Sequence, residues 1–231
     1  MRIGILFDLD GTLLDTLGDL QAAVNHALSC FGYPGREKWE IRAFLGNGMH
    51  NLVKRSLPDG VSEERVDEAL AVYRAYYESH NQILTVPYDG IYGALEALKA
   101  YPVGVVSNKQ DTAVKPMCRH FFGSLYALGE VPGMPRKPAP DMVKKAMSDL
   151  KMDGAIYVGD SEVDLQVAEN AGLPCLLVTW GFRDYGDLQK AGGKHFCHNY
   201  TLGYVKNLLC RHYVFKKCLT FLFIFKHHKS L

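Results

Sequence analysis

The chain has 231 residues, of which 48% are hydrophobic and 22% charged, a composition typical of a globular protein with a substantial buried core. All 25 acidic residues occur at or before Asp187, whereas eight of the 26 Lys and Arg residues follow it, so residues 1–187 have a net charge of −7. An excess of basic over acidic residues is therefore confined to the C-terminal end, which argues against a nucleic-acid-binding protein.

The six cysteines include no Cys-x-x-Cys pair, which argues against a zinc knuckle or a redox motif and favours free thiols in a reducing compartment. The first apolar stretch is interrupted at Asp8, too early for a signal peptide. A second apolar run, residues 218–225, is far shorter than the roughly 20 residues that a membrane-spanning helix needs. We therefore expect a cytoplasmic protein with no membrane span.

Helical and strand-like patterns divide the chain into two kinds of region. Residues 3–7 predict an apolar strand, and helical periodicity follows at 17–31, 39–45, 49–57 and 61–80, with no strand-like alternation between these segments. After residue 90 the pattern alternates. Helices are predicted near 91–100, 111–122, 141–150 and 162–171, and strands at 103–106, 125–128, 155–158 and 175–179.

Strands that alternate with helices of this length predict an α/β fold, with a parallel sheet, right-handed crossovers and helices on both faces. The all-helical block interrupts this sheet after its first strand, as an inserted domain would. We predict a catalytic core at 1–14 and 85–206, a helical domain at 15–84, and a C-terminal tail of unknown role at 207–231.

Polar residues cluster where the predicted strands end. They are Asp8 and Asp10 after the first strand, Ser107, Asn108 and Lys109 after the second, Asp160 and Asp164 after the strand at 155–158, and Lys137 in a loop between prolines. Because ligands of an open parallel sheet bind at its carboxyl edge, these residues are expected to converge.

Three carboxylates would repel a phosphate monoester, so a phosphoryl-transfer site of this composition needs a divalent cation such as Mg²⁺. The predicted metal ligands are Asp8, Asp10, Asp160 and Asp164, and the predicted phosphate-binding residues are Thr12, Ser107, Asn108 and Lys137. Asp8 is the predicted nucleophile. Asp10 is predicted to protonate the leaving oxygen and then to deprotonate the attacking water.

Each of these residues also has an ordinary structural interpretation. Aspartates are common in turns and at helix N-termini, Ser107 suits a helix cap, and Lys109 suits a solvated surface. The convergence of several segments favours the catalytic interpretation for most of them. The roles of Lys109 and Asp164 stay open.

Four segments resemble, in order and at plausible separations, the motifs of the haloacid dehalogenase-like hydrolase superfamily. They are residues 8–13, 107–109, 136–138 and 159–164. The resemblance implies a Rossmann-like core, a helical cap inserted after the first motif, Mg²⁺ dependence and a phosphoaspartate intermediate.

Within the superfamily the chain is most similar to phosphoglycolate phosphatases, through residues 44–49, 87–90 and 180–181. This similarity implies a small phosphoester substrate, with 2-phosphoglycolate favoured. The residues predicted to determine specificity from the cap are Gly46, Asn47, Gly48 and Met49. The alternative structural interpretation is that this segment only separates two helices and does not face the substrate.

Other functions remain open from the sequence. A sugar phosphomutase of the beta-phosphoglucomutase type shares the two carboxylates and the cap, and related phosphatases or pyrophosphatases share much of the pattern. A binding protein that has lost turnover is a further alternative, although all matched catalytic positions are present. Asp10 disfavours carbon–halogen cleavage. A monomer and a homodimer are both compatible with the sequence.

Overall fold

A computed structural model of the chain describes residues 1–46 and 48–198. Asn47, the last eight residues of the predicted core and the predicted tail at 207–231 lie outside the described residues. Within the described ranges, no helix combines the length and the apolar character needed to cross a bilayer.

The order of elements follows the predicted division of the chain. The strands are β1 (Ile3–Phe7), β2 (Leu14–Asp15), β3 (Val86–Pro87), β4 (Val103–Gln110), β5 (Tyr126–Glu130), β6 (Gly154–Gly159), β7 (Cys175–Val178) and β8 (Phe196–Cys197). The helices are α1 (Leu17–Cys30), α2 (Lys38–Phe44), α3 (Gly48–Ser56), α4 (Glu63–His80), α5 (Ile91–Ala97), α6 (Asp111–Phe122), α7 (Asp141–Asp149), α8 (Glu162–Asn170) and α9 (Tyr185–Lys190).

The central sheet contains six strands in the order β5-β4-β1-β6-β7-β8, and every neighbouring pair is parallel. β1 lies between β4 and β6, so its carboxyl end is near the middle of the sheet edge. Alternate residues of each strand point to opposite faces. Ile5 and Phe7 therefore join one apolar cluster and Leu6 joins the other. The predicted α/β fold with covered faces is confirmed.

Helices α1 to α4 form a block between β2 and β3 that has its own apolar cluster. Members of this cluster include Leu20 and Val24 of α1, Leu52 of α3, and Leu70 and Tyr73 of α4. The periodicity of the sequence predicted these four helices to within two residues at most ends. Their shared cluster explains why the block holds together apart from the sheet.

The chain enters and leaves the helical block through a short antiparallel pair that the sequence did not predict. Leu14 pairs with Pro87 and Asp15 with Val86. Beside this pair, the buried carboxylate of Asp19 accepts hydrogen bonds from the amides of residues 83, 84 and 85 at 3.2, 2.8 and 2.9 Å. It also accepts one from the Thr85 hydroxyl at 2.6 Å. Two-residue strands lie below the length at which alternation is recognisable in a sequence.

β4 is longer than predicted. It continues to Gln110, but its pairing with β5 shifts between Val106 and Gln110. Ser107, Asn108 and Lys109 lie in this irregular part, where a bulge redirects side chains. The polar segment that the sequence placed after the strand is thus its distorted end. The short elements α9 and β8 were also not predicted.

Candidate active site

The carboxylate of Asp8, directly after β1, is held by two donors. Its Oδ1 accepts a hydrogen bond from the Leu9 amide at 2.8 Å and lies 2.9 Å from Nζ of Lys137. The same Nζ donates to Oδ1 of Asp164 at 2.8 Å and to the Tyr157 hydroxyl at 3.0 Å. An ammonium group has three donors, so these contacts fix Lys137 completely.

Asp8, Asp160 and Asp164 form a compact acidic cluster, with one carboxylate oxygen of each within 4.8 Å of the others. Burial, opposed by Lys137 and reinforced by the charge of Asp164, raises the pKa of Asp8 from 3.8 to about 7. Burial and the charges of Asp164 and Asp8 also raise the pKa of Asp160. Crowded, desolvated carboxylates of this kind are stabilised by a cation, and hard oxygen donors suit Mg²⁺. The residues present therefore fit a divalent metal.

Asp164 serves the start of α8 as well as the cluster. Its Oδ2 accepts hydrogen bonds from the amide of Ser161 at 3.1 Å and from the Ser161 hydroxyl at 2.6 Å, while the Asp164 amide donates back to the Ser161 hydroxyl at 3.4 Å. This reciprocal arrangement is a capping box. With Oδ1 on Lys137, both oxygens are engaged. The helix-terminal and the functional interpretations of Asp164 thus apply together.

Lys137 remains charged in this environment. Burial lowers the pKa of its ammonium, but the adjacent carboxylates of Asp164 and Asp8 outweigh that effect and hold the pKa well above its usual value. A permanent positive charge beside Asp8 suits the binding of a phosphoryl group.

Asp10 lies apart from the acidic cluster. Its two carboxylate oxygens accept hydrogen bonds from Nζ of Lys109 at 2.9 and 3.1 Å. The side chain therefore does not join the predicted metal ligands, because the turn after β1 directs it toward β4. Lys109, which the sequence left open, is only 9% exposed and holds Asp10 in the cavity instead of forming a solvated surface charge.

Ser107 and Asn108 both line the cavity. Ser107 is buried at the cavity wall, and its hydroxyl accepts a hydrogen bond from the Lys109 amide at 3.2 Å. The side-chain amide of Asn108 pairs with the backbone of Lys137, donating to its carbonyl at 2.9 Å and accepting from its amide at 2.8 Å. These two hydrogen bonds hold the backbone of Lys137, and Asn108 also lines the cavity with one N–H of its amide group uncommitted to them.

Thr12 contacts the acidic cluster and does not line the cavity. Its side chain is buried outside the cavity lining, and the hydroxyl donates to Oδ1 of Asp160 at 3.2 Å. The tight turn at residues 9–14, in which the amides of Leu13 and Leu14 both donate to the Leu9 carbonyl, turns Thr12 away from the cavity. Thr12 orients a carboxylate of the acidic cluster.

A loop after β7 closes one side of the site. The Phe182 amide donates to Oδ2 of Asp160 at 2.7 Å, and Nε1 of Trp180 donates to the Thr12 carbonyl at 3.1 Å. Between them, a Cβ atom at Gly181 would collide with Asp160 and with the Gly11 carbonyl. Only glycine permits this approach. The sequence marked residues 180–181 as a similarity but gave no physical role for them.

The sheet edge and the helical block enclose an open cavity of about 470 Å³. Asp8, Asp10, Ser107, Lys137 and Asp160 line it from the sheet edge. From the block it is lined by Gly46, Gly48 and Met49, the described members of the predicted specificity segment. The structure therefore brings these two predicted sets to one cavity.

Two arginines that the sequence did not single out join the block to the loop after β7. Arg183 donates through Nη2 to the Leu45 carbonyl at 2.7 Å and pairs with Glu162, Nε to Oε2 at 2.9 Å. Arg42 of α2 donates to the Gly181 carbonyl at 3.2 Å. Such long-range partners leave no local pattern in a sequence. Tyr157 was missed for a similar reason, since it sits inside an apolar strand.

A family model for haloacid dehalogenase-like hydrolases matches residues 5–178, which contain all the residues of the acidic cluster together with Ser107 and Lys137. The chain belongs to the haloacid dehalogenase-like hydrolase family. This confirms the resemblance drawn from the four motifs.

Several curated relatives are named phosphoglycolate phosphatase. The chain is 34% identical over 191 residues to phosphoglycolate phosphatase 1 of Pseudomonas aeruginosa, covering 77% of this chain and 70% of the relative. It is 36% identical over 189 residues to a phosphoglycolate phosphatase of Cereibacter sphaeroides, covering 78% of this chain and 86% of the relative. The predicted similarity to phosphoglycolate phosphatases is confirmed.

Solved structures share the architecture. A crystal structure from Lactobacillus delbrueckii subsp. bulgaricus, provisionally named a phosphoglycolate phosphatase, superimposes with a TM-score of 0.80 at 33% identity, covering 85% of this chain and 94% of the other. One from Haemophilus somnus, a predicted phosphoglycolate phosphatase by name, gives a TM-score of 0.77 at 26% identity, covering 86% and 95%.

Proposed function

We propose that this hydrolase is a Mg²⁺-dependent phosphatase that cleaves a small phosphate monoester, 2-phosphoglycolate, through an aspartyl-phosphate intermediate. One observation carries the proposal: Asp8 belongs to a crowded acidic cluster, pairs with Lys137 and lines a cavity whose opposite wall is the helical block. The name shared by the curated relatives supports the substrate. We further propose that the helical block, residues 15–84, is a cap over the site.

In the first step, a carboxylate oxygen of Asp8 attacks phosphorus as the ester P–O bond breaks, and Asp10 supplies a proton to the departing alkoxide. Ser107 and Lys137 hold the phosphoryl oxygens, for which the Lys137 ammonium exchanges its contact with Asp8 for one with the phosphoryl group. Because attack is in line, the leaving group points away from Asp8. Lys109 holds both oxygens of Asp10, so proton transfer requires Asp10 to give up one of these contacts.

In the second step, a water molecule attacks the phosphorus of the aspartyl phosphate. Asp10 takes a proton from this water as the bond between phosphorus and the Asp8 oxygen breaks, which releases inorganic phosphate and restores the carboxylate. Closure of the helical block over the cavity would exclude bulk water and strengthen the electrostatic interactions inside it.

Asp8 and Asp160 would hold the metal, with a backbone carbonyl of the Asp8–Asp10 turn as a further ligand. Bound Mg²⁺ would offset the negative charge of the phosphoryl group and of the nucleophile. Thr12 and the Phe182 amide orient Asp160 for this role, and Asp164 fixes Lys137.

The test is phosphate release by purified protein with Mg²⁺ from a panel of esters: 2-phosphoglycolate, hexose phosphates, nucleotides and pyrophosphate. We expect the highest specificity constant for 2-phosphoglycolate and loss of turnover on chelation of the metal. Mass spectrometry of the acid-quenched protein should find one phosphoryl group on the peptide that contains Asp8.

Phosphate release from every ester except 2-phosphoglycolate would overturn the substrate while leaving the phosphatase intact. Conversion of a hexose 1-phosphate to its 6-phosphate, with the bisphosphate present, would replace the hydrolase with a mutase. No release from any ester would overturn the proposed activity.

A further inference from the structure

The positive charges that line the cavity differ in whether they already have partners. Lys137 pairs with Asp8 and Asp164, Lys109 with Asp10, and Arg183 with Glu162. Arg74 of α4 and Arg136 line the same cavity, and neither forms an ion pair with a carboxylate of the described residues. Glu130 also lines the cavity without pairing to either of them.

Arg136 joins the catalytic loop to the helical block. It directly precedes Lys137, and its guanidinium lies against Gly48, the first residue of α3. A Cβ atom at residue 48 would lie 2.7 Å from Nη1 of Arg136. Gly48 has a φ of +82°, so its lack of a side chain serves both the backbone and the approach of this guanidinium.

Arg74 reaches the cavity from the opposite wall. It lies on α4 between Tyr73 and Tyr77, whose side chains also line the cavity. The Nζ of Lys109, the partner of Asp10, lies 4.9 Å from the centre of the Tyr77 ring. Arg74 therefore belongs to the wall that faces the proposed proton donor. A leaving group directed away from Asp8 extends toward this wall.

We propose that Arg74 and Arg136 form the subsite that binds a carboxylate carried by the leaving group and so determine the preference for such esters over neutral ones. The proposal rests on the phosphatase function proposed above. Unpaired guanidinium groups form strong, charge-assisted hydrogen bonds with carboxylates. A neutral leaving group of the same size would not use these donors.

The experiment compares two esters that differ only in this group: 2-phosphoglycolate and 2-hydroxyethyl phosphate. The ratio of their kcat/KM values measures recognition of the carboxylate. In R136A and R74A we expect kcat/KM for 2-phosphoglycolate to fall by about 10- to 100-fold. The value for 2-hydroxyethyl phosphate should change by less than about threefold, which also reports that the variants are folded.

Two further variants sharpen the comparison. Gly48→Ala keeps both arginines in the sequence, but the added Cβ atom would displace the Arg136 guanidinium. It should therefore also lower the ratio of kcat/KM for 2-phosphoglycolate to that for 2-hydroxyethyl phosphate. Arg55→Ala is the matched control, because Arg55 lies on α3, is exposed and does not line the cavity. It should leave both kcat/KM values unchanged.

The outcomes separate the two proposals. Equal losses on both esters, or no loss on either, would overturn the carboxylate subsite while the phosphatase stands. If the wild-type protein hydrolyses neither ester nor any other phosphomonoester, the phosphatase and the subsite are both overturned. A selective loss on 2-phosphoglycolate in both arginine variants supports the subsite.

Discussion

The sheet edge and the cavity wall above it are built differently. At the edge, Lys137 has three partners and both oxygens of Asp164 are engaged, so each group is held by several others. Elsewhere on the cavity wall, Arg74 of α4 and Arg136 of the loop before Lys137 are exposed and have no ion pair among the described residues. The difference indicates that the edge is organised for one reaction, whereas the wall keeps donors available for what enters the cavity.

The largest effect is expected at the centre of the edge. Asp8→Asn keeps the shape of the side chain but removes the nucleophilic carboxylate, so turnover should fall by about 10³-fold or more. Asp59→Asn, at an exposed loop position, is the matched control and should retain full activity. If Asp8→Asn turned over substrate near the wild-type rate, Asp8 would not be the nucleophile, and the proposed difference between the sheet edge and the cavity wall would be wrong.

In the absence of metal, Asp8→Asn should be more stable against unfolding than the wild-type protein. The charged form of Asp8 is disfavoured by burial, which raises its pKa to about 7. The difference in melting temperature should therefore be largest above pH 7, shrink as the pH falls from 7 toward 3.8, and vanish below that range. A difference that grows on acidification would contradict this account of the site.

A smaller loss of activity is expected at Asn108, which holds the backbone of Lys137. Asn108→Ala removes both hydrogen bonds to the Lys137 backbone, so kcat should fall by about 10- to 100-fold with little change in KM. Asn170→Ala is a close control, because Asn170 donates to the neighbouring Pro138 carbonyl from an exposed position. A loss in Asn170→Ala equal to that in Asn108→Ala would show that any anchor of this loop matters, not the one at Lys137.

A substitution at the junction between the core and the helical block should lower the stability of the fold without changing the catalytic rate. Asp19→Ala leaves three backbone amides and the Thr85 hydroxyl without their acceptor, at a cost of about 3 kcal/mol in the free energy of unfolding. Urea denaturation measures this, with Asp59→Ala as the exposed control. The kcat of the folded fraction should stay within about twofold; a large fall would mean that the junction also positions Asp10.

The smallest effect is expected at the surface contact between the regions. Arg42→Ala removes a hydrogen bond to the Gly181 carbonyl and an ion pair with the exposed Asp184. Exposed pairs of this kind contribute below about 1 kcal/mol, so KM should rise by less than about threefold at constant kcat. A marked fall in kcat would indicate that the loop after β7 controls Asp160 through this contact.

The sequence was sufficient to predict which residues meet at the sheet edge, but it was not sufficient to identify the residues of the cavity wall. The sequence predicted that Asp8, Ser107 and Asp160 lie together because parallel strands bring their carboxyl ends to one edge, whatever the detailed packing. It did not predict the hydrogen-bond partners of Thr12 and Asn108, because the partner of a hydroxyl or amide depends on neighbours distant in the chain. Arg74 gave no signal at all, since an arginine on an exposed helix face is ordinary.

The paired strands β2 and β3 give the insertion a single narrow joint. Because the chain departs at Asp15 and returns at the facing Val86, the ends of the helical segment are side by side. Any other segment with equally close ends could be grafted there without changing the order of the sheet. This connection thus allows the helical segment that lines the cavity to be replaced, and substrate preference to change, while the catalytic residues of the core stay the same.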